Sequence, residues 1–134
     1  MATSEVIYIG NLRVKSKHIY SGTEIITDAP LDNQGQAGSF SPTDLLATSL
    51  ANCMLTIMGI AARTHQFDID GTRAEVVKHM VSNPRRVGKI EVFLYFPPNN
   101  YTDKQKKIIE HAAYTCPVAL SLHPDINQDI HFNF

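Results

Sequence analysis

Long basic runs are missing from this sequence. The formal net charge is -1 and the isoelectric point is near 6.6. The local clusters Arg85-Arg86 and Lys104-Gln105-Lys106-Lys107 read as a solvated turn and a solvated helix face, so neither nucleic acid nor an anionic membrane is an expected partner. Cysteine is scarce: Cys53 and Cys116 are the only two, too few for the disulfide framework of a small secreted domain. Six histidines are present, His18, His65, His79, His111, His123 and His131. None forms a His-x3-His pair and no Cys-x-x-Cys occurs, so ligand spacing predicts no metal site, and no cofactor is expected. The start Met1-Ala2-Thr3-Ser4-Glu5 has no basic segment followed by an apolar one. A cytoplasmic location is the expectation.

What is present fits one soluble domain over residues 1–134, with 43% hydrophobic and 19% charged residues. Val6-Ile7-Tyr8-Ile9 and Thr23-Glu24-Ile25-Ile26-Thr27 read as strands separated by a Ser21-Gly22 turn. Asp28 to Ser41 is rich in turn residues, a loop long enough to suggest a function. Ser41-Pro42 then opens a helix expected to reach about Thr64. Ser41 suits the N-cap, Pro42 the first helical position and Asp44 the positive end of the dipole.

Within that helix the 18 residues from Leu45 to Ala62 carry no charge. That length touches the lower limit for a membrane span. Thr48, Ser49, Asn52 and Thr56, with no aromatic belt, favour a helix buried inside protein instead. One small sheet covers only one side of such a helix, so a second copy of the chain is predicted to cover the rest. Two further strands, Thr72 to Val81 and Val87 to Phe96, precede a helix whose Thr102 and Gln105 match a capping box. Pro117 breaks that helix, a short turn continues to Leu122, and Asn127 to Phe134 suits a last strand. The fold class is α+β.

The cysteines stand at two distinct kinds of position. Cys116 precedes Pro117, which suits the first position of a new helix, so Cys116 is placed at an N-cap where free N–H groups face its sulfur. Cys53 lies on the stripe Leu46, Leu50, Cys53, Ile57, among Ser49, Asn52 and Thr56. A free cysteine often only packs. On pattern alone, a dithiol protein and two packed cysteines both stay open.

The run Ser41-Pro42-Thr43-Asp44-Leu45-Leu46-Ala47-Thr48-Ser49-Leu50-Ala51-Asn52-Cys53 resembles the central-helix motif of the OsmC/Ohr family. Tyr114-Thr115-Cys116-Pro117-Val118-Ala119-Leu120-Ser121-Leu122 resembles that family's Cys-Pro-hydrophobic segment, in the expected order and separation. The resemblance implies small β-sheets around a long buried central helix, in an intertwined, swapped homodimer. It implies a cysteine-based peroxidase, with Cys53 attacking an organic hydroperoxide, Cys116 resolving the product to a disulfide, and an external dithiol as reductant. The alternative on the same fold is a non-catalytic or redox-sensing dimer that binds a small apolar ligand. Better-characterised members carry a Glu directly after the motif's Pro, paired with an Arg from the N-terminal region. Here Thr43 holds that position and Asp44 follows it, about 100° further round a helix. Arg13 precedes the helix and no other Arg occurs from residue 14 to 62. Arg13 (or Lys15 or Lys17 in its place), Asp44 and Thr43 are the candidates for stabilising the reactive thiolate, and the departure places the chain nearer the OsmC-like branch of the family.

Overall fold

A computed structural model describes all 134 residues. The elements run in the order β1 (Ser4–Gly10), β2 (Arg13–His18), β3 (Glu24–Asp28), α1 (Pro42–Thr64), β4 (Arg73–Val81), β5 (Arg86–Tyr95), α2 (Asp103–Tyr114), α3 (Pro117–Ser121) and β6 (Asn127–Asn133), with a 3-10 turn at Leu31–Asn33. The chain divides into two compact units, Met1–Leu46 and Ala47–Phe134.

The first unit is an antiparallel sheet in the order β1-β2-β3. Its middle strand, Arg-Val-Lys-Ser-Lys-His, lacks an apolar alternation and so carries no strand signal in the sequence. It is polar because the sheet is wet: Val6, Ile7, Tyr8 and Ile9 in succession are all at least half exposed, which leaves both faces of β1 uncovered. The long loop after β3 folds back on the sheet. The Asp28 carboxylate, 3% exposed, accepts from Ala29 N at 2.9 Å and Gly38 N at 2.9 Å. Ser39 Oγ donates to Ile26 O at 2.7 Å. Gly35 passes so close to the Ala29 backbone that a Cβ there would overlap the carbonyl. This packing requires glycine.

At the start of α1 the N-cap acts as expected from the sequence. Asp44 N donates to Ser41 Oγ at 3.0 Å and Ser41 N donates to Asp44 Oδ2 at 2.9 Å, a reciprocal capping pair.

The second unit holds the core. Sheet order is β4-β5-β6, with β4 and β5 antiparallel and β6 parallel to β5. A parallel return needs a crossover, which α2 and α3 supply. Ile90, Val92, Leu94 and Ile130 are buried on one face of this sheet, in one cluster with Leu50, Met54 and Met58 of α1 and Ile109, Ala112 and Ala113 of α2. The buried positions of α1, Ala47, Leu50, Ala51, Met54, Met58 and Ala62, recur at helical spacing and define one face. The opposite face is not covered within the chain: Ile60 is 57% exposed, and only a third of the most apolar window of α1 is buried. Length and composition would let this helix cross a membrane; its Leu50–Met54–Met58 face is instead built into a protein core.

Candidate functional site

Two local decisions of the sequence bring the cysteines together. The first is Pro117. It cannot continue α2 with a hydrogen bond, so the chain breaks after Tyr114 and restarts with Pro117 at the first turn of α3. Cys116 becomes the N-cap, and its sulfur accepts from Ala119 N at 3.4 Å. The second is the position of Cys53 on α1, at the margin of the buried face. Its sulfur accepts from Val118 N at 3.5 Å. Both thiols thus meet consecutive N–H groups of one helix start, which makes them neighbours.

The two sulfurs differ in environment. Cys116 is fully buried and Cys53 only partly; neither forms a disulfide. Burial pushes the Cys116 thiol above its ordinary pKa; the Ala119 N–H opposes that shift and the neighbouring Cys53 adds to it. Cys116 therefore rests as a neutral thiol beside a more accessible partner. Chemically, such a pair can lose two electrons to an oxidant and close a disulfide.

The Cys53 stripe of α1 continues into a groove. Ile57 and Ala61 line it from α1, with His65 just beyond the helix, and Ile108, His111 and Ala112 of α2 face them; its volume is about 610 Å³. Lys104 and Lys107 stand at its edge. The lining is apolar with a basic margin, a shape suited to a small, largely apolar molecule.

The other expected site residues lie in the first unit. Arg13 opens β2 and its Nε stands 3.7 Å from Asp28 Oδ2. Thr43 Oγ1 is 3.2 Å from Ser41 Oγ, and Asp44 holds the Ser41 N–H in the cap. Asp28 was missed by sequence reasoning as the acid facing Arg13. No spacing rule links the last residue of one strand to the first of its neighbour, although the antiparallel register puts Arg13 directly opposite Asp28.

One further cluster escaped a search along the sequence because it is assembled across strands. On the face of the second sheet away from the core, Glu91, Asp129 and His131 place one ligand-type atom each within 4.8 Å of one another, and His79 Nε2 lies 2.6 Å from Glu91 Oε1. The expectation of no metal site rested on neighbours in sequence and does not bear on this arrangement.

Two small sheets and one long helix, with both cysteines at the start of α3, define an α+β protein. The chain belongs to the OsmC-like protein family, whose pattern matches residues 35–131. A Psychrobacter arcticus protein provisionally described as an osmotic stress induced and detoxification response protein is 55% identical. The match covers 98% of this chain and 95% of that one, with a TM-score of 0.93. An organic hydroperoxide resistance protein from Legionella pneumophila shares the fold at 11% identity and a TM-score of 0.79, covering 100% of this chain and 98% of that one. One from Elizabethkingia anophelis does so at 17% identity and a TM-score of 0.72, covering 99% and 96%. No curated protein matches the chain.

Proposed function

We propose that this protein is a thiol-dependent peroxidase for organic hydroperoxides, with Cys53 as the attacking residue and Cys116 as the resolving one. The observation that carries the proposal is the unequal thiol pair: a partly exposed Cys53 beside a buried Cys116, both facing the first N–H groups of α3. Two relatives in fold are described as organic hydroperoxide resistance proteins, and the groove beyond Cys53 suits an apolar substrate. The Cys53 thiolate attacks the distal peroxide oxygen; the O–O bond breaks, the alkoxide takes a proton and leaves as alcohol, and Cys53 becomes a sulfenic acid. The Cys116 sulfur then displaces water to form the disulfide. An external dithiol restores both thiols by two exchanges.

The working unit in this proposal is an intertwined homodimer in the cytoplasm. Its support is physical. Apolar side chains stay exposed on both faces of β1 and on α1 at Leu46 and Ile60, and a small sheet needs its apolar face packed to be stable in water. A second copy is the partner for which both uncovered surfaces are available in equal number.

A ligand-binding, redox-sensing role for the same dimer is the second reading. The observation that favours it is the groove of about 610 Å³ itself, which needs no turnover to bind a small molecule.

Turnover of the cysteine variants separates the two readings. With an organic hydroperoxide and a dithiol, Cys53→Ser loses peroxide consumption altogether. Cys116→Ser completes one oxidation of Cys53 and then accumulates the sulfenic acid or a mixed disulfide. Reaction of Cys53→Ser with no reaction of Cys116→Ser reverses the roles; unaltered thiols in the wild type favour the binding module.

A further inference from the structure

The outer face of the second sheet carries a close network of acidic and basic side chains. Glu91 and Asp129 are direct partners on the parallel strands β5 and β6, and His131, two residues on, shares their face opposite Phe93. His131 Nε2 is 3.3 Å from Asp129 Oδ2 and 3.9 Å from Glu91 Oε2. That nitrogen atom is shielded from solvent and makes no hydrogen bond, although the side chain as a whole is 42% exposed. The ring cannot simply be treated as a loose surface group: it stacks on Phe93 with centroids 4.5 Å apart and planes 6° from parallel. From β4, His79 Nε2 reaches Glu91 Oε1 at 2.6 Å. Lys89 Nζ, 3.6 Å from Asp129 Oδ2, balances one of the two negative charges.

We infer that His131, Glu91 and Asp129, with His79 alongside, form a binding site for a divalent transition-metal ion of the zinc class, bridging β4, β5 and β6. Imidazole and carboxylate together suit zinc, cobalt and nickel better than magnesium or calcium, which take oxygen donors alone. Metal–ligand bonds of about 2.0–2.2 Å put tetrahedral ligands about 3.3–3.6 Å apart. The His131–Asp129 separation of 3.3 Å already falls there; Glu91, 3.9 Å from His131 and within 4.8 Å of Asp129, has to close in by up to about 1 Å. His131 supplies the otherwise unsatisfied nitrogen. Glu91 offers two oxygens, so one can ligate while the other keeps His79; alternatively His79 turns in as the fourth ligand. The ion would tie the C-terminal strand β6 to its neighbours, which makes it a structural ion, apart from the thiol chemistry.

Thiols also bind such metals, so the test is run on the dimer or whatever assembly the full chain forms, with and without its cysteines. Zinc(II) is titrated by calorimetry into the wild type and the Cys53→Ser/Cys116→Ser protein, with cobalt(II) absorption reporting the ligand class. The cysteine-free protein is expected to keep one ion per chain, with a cobalt spectrum free of sulfur charge transfer, and zinc should raise its unfolding temperature. Loss of an outer hydrogen-bond partner of a metal ligand already weakens binding about 10–100-fold. His131→Ala and Glu91→Gln, each made in the cysteine-free protein, must therefore weaken binding at least tenfold. Glu91→Gln preserves shape and an acceptor for His79, so it reads binding even if His131→Ala disturbs the sheet. Binding that disappears with the cysteines, binding that either variant leaves at parental affinity, or no binding at all overturns the inference.

Discussion

Burial strips water from Cys116, and its thiol therefore keeps its proton to a higher pH than an ordinary cysteine. Above the ordinary thiol pKa of about 8.5, the unfolded chain loses a proton that the folded chain retains. The folded state then binds more protons, and stability falls as pH rises. The Cys116 contribution is fully present below about pH 8.5 and is lost as pH climbs through the raised folded value. Tyr101 shifts in the same direction by burial, but from an ordinary value near 10, so it acts at higher pH. Urea unfolding from about pH 7.5 to 9.5 should show declining stability in the wild type and a flatter profile in Cys116→Ser. Equal slopes in both proteins would show that Cys116 is not the buried thiol described. The N-cap position of Cys116 was legible in the sequence because proline dictates it locally. Its meeting with Cys53 was not legible from spacing, since the contact joins residues 65 positions apart, Cys53 and Val118; only the family resemblance pointed to it.

At the scale of elements, two acids have different duties. Asp44 completes a helix cap at the partly buried start of α1. Asp28 is buried at the end of β3, faces Arg13, and holds both ends of the loop that follows through Ala29 and Gly38. The sequence made Asp44 visible because helix starts have a short-range signature; Asp28 had none, being defined by pairing between strands. Asp44→Asn retains an acceptor and forfeits mainly the dipole interaction, about 0.3–1 kcal/mol. Asp28→Asn turns one of two satisfied acceptors into a donor facing N–H or guanidinium groups, a loss of about 1–3 kcal/mol, with little added by Arg13, which is 43% exposed. The urea midpoint should therefore drop more for Asp28→Asn than for Asp44→Asn; the reverse order would contradict the loop-anchoring role. Long, locally capped elements were read well: α1 to Thr64 and the Thr102–Gln105 capping box both stand where expected. The strand β2 was lost because both of its faces are polar, and period-two alternation exists only where one face is buried.

For the whole molecule, the uncovered faces of β1 and α1 are the outstanding physical fact. On β1 four apolar residues in succession are exposed, and on α1 Leu46 and Ile60 are; the proposed homodimer is what removes them from water. Light scattering across a dilution series should give the mass of a dimer wherever the protein is folded. A stable folded monomer would contradict that assembly. The proposed chemistry turns on the Cys53–Cys116 pair and is tested most directly by one titration: an organic hydroperoxide is added in steps to the reduced protein while free thiols are counted and the products mapped by mass spectrometry. One equivalent per chain should consume both thiols and yield a disulfide between Cys53 and Cys116 within the chain, reversible by a dithiol. Thiols that survive excess hydroperoxide, or oxidation that leaves Cys116 unpaired, would contradict that chemistry.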